Sequence, residues 1–476
     1  MRARRRALTI AAASLTAAMI GACAQAPQLP PAPPAPAAKA PSVAAVASQV
    51  SVTSPQGELL SRHQREQLLQ QVQAQGKAEA IKRQLGAMAA FGAVGLYAGN
   101  DAKLLIDGPA TFKAMAEAIR QARRTVLLES YIIEDADISR QLARLLAEKR
   151  AQGVGVYVIY DAVGSIGTHD AFFEALREAG VATCAFNPLS KIDDLAHRDH
   201  RKILSVDREI GFTGGINLSA VYASGSFGRT HRKPLRQETE SNREGWRDTQ
   251  VQLRGPAVGA LDDLVRETWQ AQGCKGALPP VPDAQPAAGK KAAGEQLMRI
   301  ISSTPDDTIN RFYALMMTSI GAARQSVRMT MAYFAPGEDM IQALCDAAQR
   351  GVAVELILPS RSDFSPVLHA GRSYYERLLA AGVRIYELQD AVLHAKTEVI
   401  DGVVSSVGSS NLDQRSFTSN NEVNAVVIGE DFGAEMDRMF AQDIQASREI
   451  TREAWAARSP WQRSKEFFAR LFERLW

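Results

Sequence analysis

The spacing of apolar positions divides most of the chain into two stretches that repeat one order of elements. Residues 112–122 carry apolar side chains at helical spacing and lead into the strand-like run Thr125-Val-Leu-Leu-Glu-Ser-Tyr-Ile-Ile. Residues 312–323 lead in the same way into Ser326-Val-Arg-Met-Thr-Met-Ala-Tyr-Phe. A glycine then closes a helix and β-branched residues open a buried strand at Gly153-Val-Gly-Val-Tyr-Val-Ile-Tyr, and again at Gly351-Val-Ala-Val-Glu-Leu-Ile-Leu. Residues 172–179 before Gly180 match residues 374–381 before Gly382. Helix and strand alternating twice in this order predict an α/β protein with two similar lobes, residues 99–275 and 295–445.

Outside the repeat the pattern changes. Arg2, Arg4, Arg5 and Arg6 precede an apolar stretch that ends Ile20-Gly21-Ala22-Cys23, the layout of an export signal. The small residues before Cys23 have the form of a bacterial lipoprotein cleavage site, with Cys23 as the lipid attachment point; an uncleaved anchor or simple secretory signal is the alternative. Both readings predict a membrane-anchored or exported chain on the periplasmic side. Residues 24–56 are rich in Ala and Pro and read as a tether without a packed core, residues 57–98 as a helical pre-domain, and residues 276–294 as a linker. The end of the chain, 446–476, reads as an amphipathic helix: Trp461, Phe468, Leu471, Phe472 and Leu475 recur at helical spacing against Arg463, Lys465, Arg470 and Arg474. Such a helix either lies in a membrane interface or docks its aromatic face on the body. Nothing after the leader is a convincing run of about 20 apolar residues, so no further membrane span is expected.

Composition adds limits. With 476 residues, 46% of them hydrophobic, the chain can bury a large core. Its 55 basic and 52 acidic side chains leave a net charge of +3, which demands no nucleic-acid partner. Cys23, Cys184, Cys274 and Cys345 lack CxxC spacing, an argument against both a zinc site and a disulfide framework.

The chemistry lies in a triplet that occurs once per lobe, His200-Arg-Lys202-Ile-Leu-Ser-Val-Asp207 and His394-Ala-Lys396-Thr-Glu-Val-Ile-Asp401. In both, an asparagine follows the histidine by 17 positions, Asn217 and Asn411. On an extended segment the histidine and lysine two residues apart face the same side. A neutral imidazole can then attack a phosphorus whose oxygens a lysine holds, and a charged one can donate a proton. A single His-x-Lys is usually an ordinary surface pair; its duplication with the same partner spacing is not. Lysine is a poor metal ligand, so the chemistry is expected to need neither metal nor cofactor.

The two H-x-K-x4-D triplets resemble the hallmark of the phospholipase D superfamily. The surrounding Asn187-Pro-Leu, Phe212-Thr-Gly-Gly-Ile-Asn, Trp246-Arg-Asp-Thr, Asn411-Leu-Asp-Gln-Arg-Ser-Phe and Asn421-Glu-Val-Asn resemble bacterial cardiolipin synthases. The resemblance implies two pseudo-symmetric lobes, each a mixed sheet flanked by helices, with one active site at their interface. It further implies phospholipid substrates and phosphatidyl transfer through a phosphohistidine, with His200 as nucleophile, His394 as acid and base, and Lys202, Lys396, Asn217 and Asn411 on the phosphate. Asp248 and Glu422 would orient the opposing histidines, and Asp207 and Asp401, the remaining motif residues, would brace the lobes. A hydrolytic phospholipase D, a secreted nuclease and an inactive scaffold are the competing classes. Asp248 follows Asn217 by 31 positions but Glu422 follows Asn411 by 11, so lobe 1 carries an insertion, with Arg229, His231, Arg232, Lys233 and Arg236.

Overall fold

The computed structural model describes residues 40–74, 76–90, 94–188, 196–226, 245–281 and 292–473. The leader with Cys23, the basic insertion of lobe 1, the middle of the linker and Leu475 lie outside the described residues.

The first half contributes strands β1 (Val50–Thr53), β2 (Val94–Ile106), β3 (Thr125–Ser130), β4 (Gly155–Asp161), β5 (Ala182–Phe186), β6 (Arg198–Asp199), β7 (Lys202–Val206), β8 (Ile210–Gly214), β9 (Trp246–Arg247) and β10 (Thr249–Arg254). The second contributes β11 (Gln296–Ser303), β12 (Ser326–Met331), β13 (Ala353–Pro359), β14 (Arg384–Leu388), β15 (Val392–Leu393), β16 (Lys396–Ile400), β17 (Val404–Gly408), β18 (Asn420–Ile428) and β19 (Ser447–Ile450). Lobe 1 has the order β2-β10-β8-β7-β3-β4-β5, with β3, β4 and β5 parallel. Lobe 2 repeats it as β11-β18-β17-β16-β12-β13-β14 and adds β19 at the edge. Parallel strands covered on both faces need continuous apolar runs, and in β13 every residue from Val354 to Pro359 is buried. The lobes are joined through β2, whose first part pairs with β1 and β11 and whose second part pairs with β10.

Helices Ala257–Ala271 and Glu430–Gln445 lie in the seam. Their Leu261, Val265, Trp269, Phe432, Met436 and Met439 share one core with Val251, Leu253, Val423 and Ala425 of the two sheets.

Three expectations need correction. The tether ends earlier than its composition suggests: Val43–Gln49 is a helix capped by Ser42, whose Oγ accepts the Ala45 N–H, and β1 adds in parallel to β2. No proline stands between Pro41 and Pro55, and the alanine that made this part look like a linker is the best helix former. The helices of the pre-domain, Arg62–Ala74 and Ala78–Ala90, are not a unit of their own, because Leu69, Ile81, Leu85 and Met88 join the core of lobe 2 beside Phe312, Tyr313 and Met316. Finally, Cys184 on β5 and Cys274 beyond helix Ala257–Ala271 form a disulfide, with Cα atoms 5.6 Å apart. Two cysteines 90 residues apart give no local spacing signal, and only the packing of that helix against lobe 1 brings them together.

Helix Pro460–Leu471 packs on helix Ser365–Arg372. Its aromatic face is turned to solvent and not to the body. Among the described residues no helix is long and apolar enough to cross a membrane.

Candidate active site at the lobe interface

Each histidine is held by a two-residue strand stitched to the opposite lobe. Strand β6 of lobe 1 pairs with the start of β18, and the His200 N–H donates to the Asn421 carbonyl at 3.0 Å. Strand β15 of lobe 2 pairs with β9, and the His394 N–H donates to the Arg247 carbonyl at 2.8 Å. Arg247 is itself fixed by a two-bond ion pair to Asp443 across the seam, 2.8 Å on each arm, with both side chains fully buried.

The side chains repeat this exchange. The Nδ1 of His200 lies 3.0 Å from Glu422 Oε1, and the Nδ1 of His394 lies 2.8 Å from Asp248 Oδ2, each carboxylate coming from the other lobe. A carboxylate at Nδ1 fixes the proton there, which leaves the Nε2 lone pair for a phosphorus. Lys202 and Lys396 open β7 and β16, two residues beyond their histidines, and each ammonium donates to the carbonyl of its own histidine. Lys396 Nζ is also 3.0 Å from His394 Nδ1.

The electrostatics follow from burial. Desolvation and the charges of Lys202 and Lys396 hold His200 well below the usual imidazole range, so it is neutral at pH 7. His394 is lowered by the same burial and by Lys396, but Asp248 pulls it back. Burial lifts Glu422 to about 7 against the pull of Lys202, and brings Lys202 down to about 7 against the pull of Glu422. His200 senses Lys396 and His394 directly, so the two triplets share one electrostatic site.

The other expected residues divide. Asn217 accepts the Ile132 N–H at 3.1 Å and donates to the Tyr222 hydroxyl at 3.3 Å, which lies 3.1 Å from His394 Nδ1. Asn411 is buried, and its Oδ1 has no hydrogen-bond partner among the described residues. Asp207 and Asp401 stand at the far ends of the strands from the histidines. The Asp207 carboxylate accepts the N–H groups of Arg123, Arg124 and Thr125 at 2.7–2.8 Å, and Asp401 those of Arg324, Gln325 and Ser326 at 2.7–3.2 Å. Each ties down the turn that enters β3 or β12.

Sequence reasoning missed the aromatic walls. Tyr131 stands edge-on to His200 with centroids 5.0 Å apart, and Tyr333 edge-on to His394 at 6.4 Å. Both follow equivalent strands, one position out of register, a signal visible in the repeat. Trp246, 5.1 Å from His394, and Tyr222 come from lobe 1, and nothing in their spacing ties them to a histidine of lobe 2. Ser409 donates to Glu422 from the end of β17.

Comparison with known proteins yields matches over most of the chain. The family described as "Cardiolipin synthase, PLD-like domain" matches residues 115–226 and 316–444. Cardiolipin synthase A of Pseudomonas fluorescens strain Pf-5 is 36% identical over 374 residues, 78% of this chain and 74% of the relative. Cardiolipin synthase A of Pseudomonas aeruginosa is 35% identical over 359 residues, 75% of this chain and 69% of the relative. Among solved structures, the phosphatidylserine synthase of Haemophilus influenzae superposes with a TM-score of 0.59 at 12% identity, covering 79% of this chain and 95% of that one, a likeness of fold.

Proposed function

The chain belongs to the cardiolipin synthase family of phospholipase D-like phosphatidyltransferases, and from that membership we propose that it joins two phosphatidylglycerol molecules into cardiolipin and releases glycerol. The observation that carries this reading is the reciprocal exchange of carboxylates, Glu422 to His200 and Asp248 to His394, which commits both Nδ1 atoms and leaves both Nε2 atoms for one phosphate.

His200, the more completely deprotonated imidazole, attacks the donor phosphorus through Nε2. The bond from phosphorus to the departing glycerol oxygen breaks, and His394 gives that oxygen its proton. Asp248 stabilises the charged form of His394 that this step requires. A hydroxyl of the second lipid then loses its proton to His394 and attacks the phosphohistidine, and the P–N bond breaks to return a neutral His200. Lys202 and Lys396 hold the non-bridging oxygens as charge builds on them. Asn217 positions Tyr222 beside His394, and Asn411 keeps a buried side-chain oxygen without a hydrogen-bond partner among the described residues.

The substrates place the enzyme at a membrane surface. The export-type leader, with Cys23 as its lipid-attachment candidate, supports a periplasmic, membrane-anchored protein. The Cys184–Cys274 disulfide supports the same side, because such bonds persist in oxidising compartments.

The test is the product formed from labelled phosphatidylglycerol in mixed micelles. Cardiolipin and glycerol in equal amounts, lost in both His200→Ala and His394→Ala, are the expected result. Phosphatidic acid without cardiolipin would make the enzyme a hydrolase.

A further inference from the structure

Helix Pro460–Leu471 is amphipathic with its polarity reversed. At 3.6 residues per turn, Trp461, Phe467, Phe468, Leu471 and Phe472 fall within an arc of roughly 140°, and they are 69%, 61%, 60%, 61% and 46% exposed. The opposite side, which meets the protein, is polar. Glu466 is buried against Arg458 at 3.0 Å, and Glu473, just past the helix, accepts from the Tyr374 hydroxyl and the Gly337 N–H. A helix stabilised only by its own fold would turn these faces the other way. Contiguous exposed aromatics on this scale mark a surface that meets something apolar.

The flanks and the neighbourhood identify what it meets. Lys465 borders the stripe on one side with its ammonium over the Trp461 ring, 5.4 Å from the centroid, and Arg463 and Arg470 border it on the other. An apolar stripe edged by cations suits an anionic bilayer, with aromatics at headgroup level. The helix also reaches the catalytic cleft. Its Ala469 packs with Tyr333 against Ala335, Val367 and Ala370, and the Tyr333 ring stands against both His394 and Phe364, which is 38% exposed.

We infer that this stripe is the surface by which the protein docks on an anionic phospholipid bilayer, with the Tyr333 side of the cleft turned to the lipid. The inference deepens the proposed transfer between phospholipids and rests on it for its purpose, but its test does not need turnover. Full-length protein is added to vesicles of brominated phosphatidylglycerol in phosphatidylcholine, and the quenching of tryptophan fluorescence is compared with that of Trp461→Phe. Loss of a quenchable component in the variant is the expected result. Equal quenching in the two proteins overturns the docking surface, whatever the activity, as does a stripe that mediates self-association in sedimentation while Trp461 stays unquenched. Quenching of Trp461 in a protein that turns over no phosphatidyl lipid would leave the docking surface standing and overturn the transfer instead. A second variant, Phe467→Ser with Phe468→Ser and Leu471→Ser, is expected to lose about tenfold in turnover of vesicle lipid. Its turnover of dispersed short-chain phosphatidylglycerol should match the parent; equal losses on both substrates would count against docking.

Discussion

Asp248 Oδ2 lies 2.8 Å from Nδ1 of His394, although the two residues belong to different lobes and are separated by 146 positions. A carboxylate in this place sets the tautomer of the ring and supports its charged form. Asp248→Asn keeps the shape and removes the charge, so kcat should fall by about two to four orders of magnitude with KM little changed. Steady-state kinetics on phosphatidylglycerol decide it, and a loss under about tenfold would remove Asp248 from the acid–base step.

The pH dependence follows from Glu422 and Lys202, both brought to about 7 by burial. Glu422 holds His200 only as a carboxylate, so activity should rise as the pH climbs through about 7. In its proposed role Lys202 holds phosphate only as an ammonium, so activity should also fall as the pH climbs through the same range. The profile of kcat/KM is expected to be a narrow bell centred near neutrality. In Lys202→Arg the guanidinium keeps its charge, and the alkaline limb should move upward even as the maximum drops. An unmoved limb would assign it to another group.

Asp207 offers a contrast inside the same motif. Its φ of 54° is left-handed, a conformation asparagine tolerates, so Asp207→Asn tests the carboxylate without adding backbone strain. The amide keeps one oxygen for the Arg124 and Thr125 N–H groups but loses the acceptor of the Arg123 N–H, which should cost about 1–3 kcal/mol of stability. Activity per folded molecule should stay near the parent value. Denaturant melts paired with active-site titration separate the two effects, and a selective fall in kcat would give Asp207 a catalytic part.

The disulfide closes a loop between positions 90 residues apart. Cys184→Ser with Cys274→Ser should lower stability by roughly 4.6 kcal/mol on the chain-entropy estimate. Reductant should reproduce the loss in the parent and leave the double variant unaffected, as thermal melts would show.

The duplicated order of helices and strands was legible because its periodicity is local, and it carried the two-lobed fold. His200, His394 and their lysines were legible because strand alternation alone puts each pair on one face. Asp248 and Glu422 could not be reached that way, since their partners lie on the other lobe; they came from the resemblance of their flanking residues to a family. Tyr222 was missed for the same reason, acting on His394 from 172 positions away. The segment at Val43–Gln49 was misread because a window averaged over prolines hid a capped run of good helix formers. The C-terminal helix was legible as amphipathic, but which face it would turn to the body depended on Arg458 and Tyr374 claiming its carboxylates.

Strand β2 gives the molecule a mechanical character. It runs from one sheet into the other, and the pairings β6–β18 and β15–β9 with the buried Arg247–Asp443 ion pair cross the same seam, so the halves cannot swing apart at the cleft without breaking those contacts. Exchange of one alcohol for another must then proceed by traffic of lipids through a fixed opening.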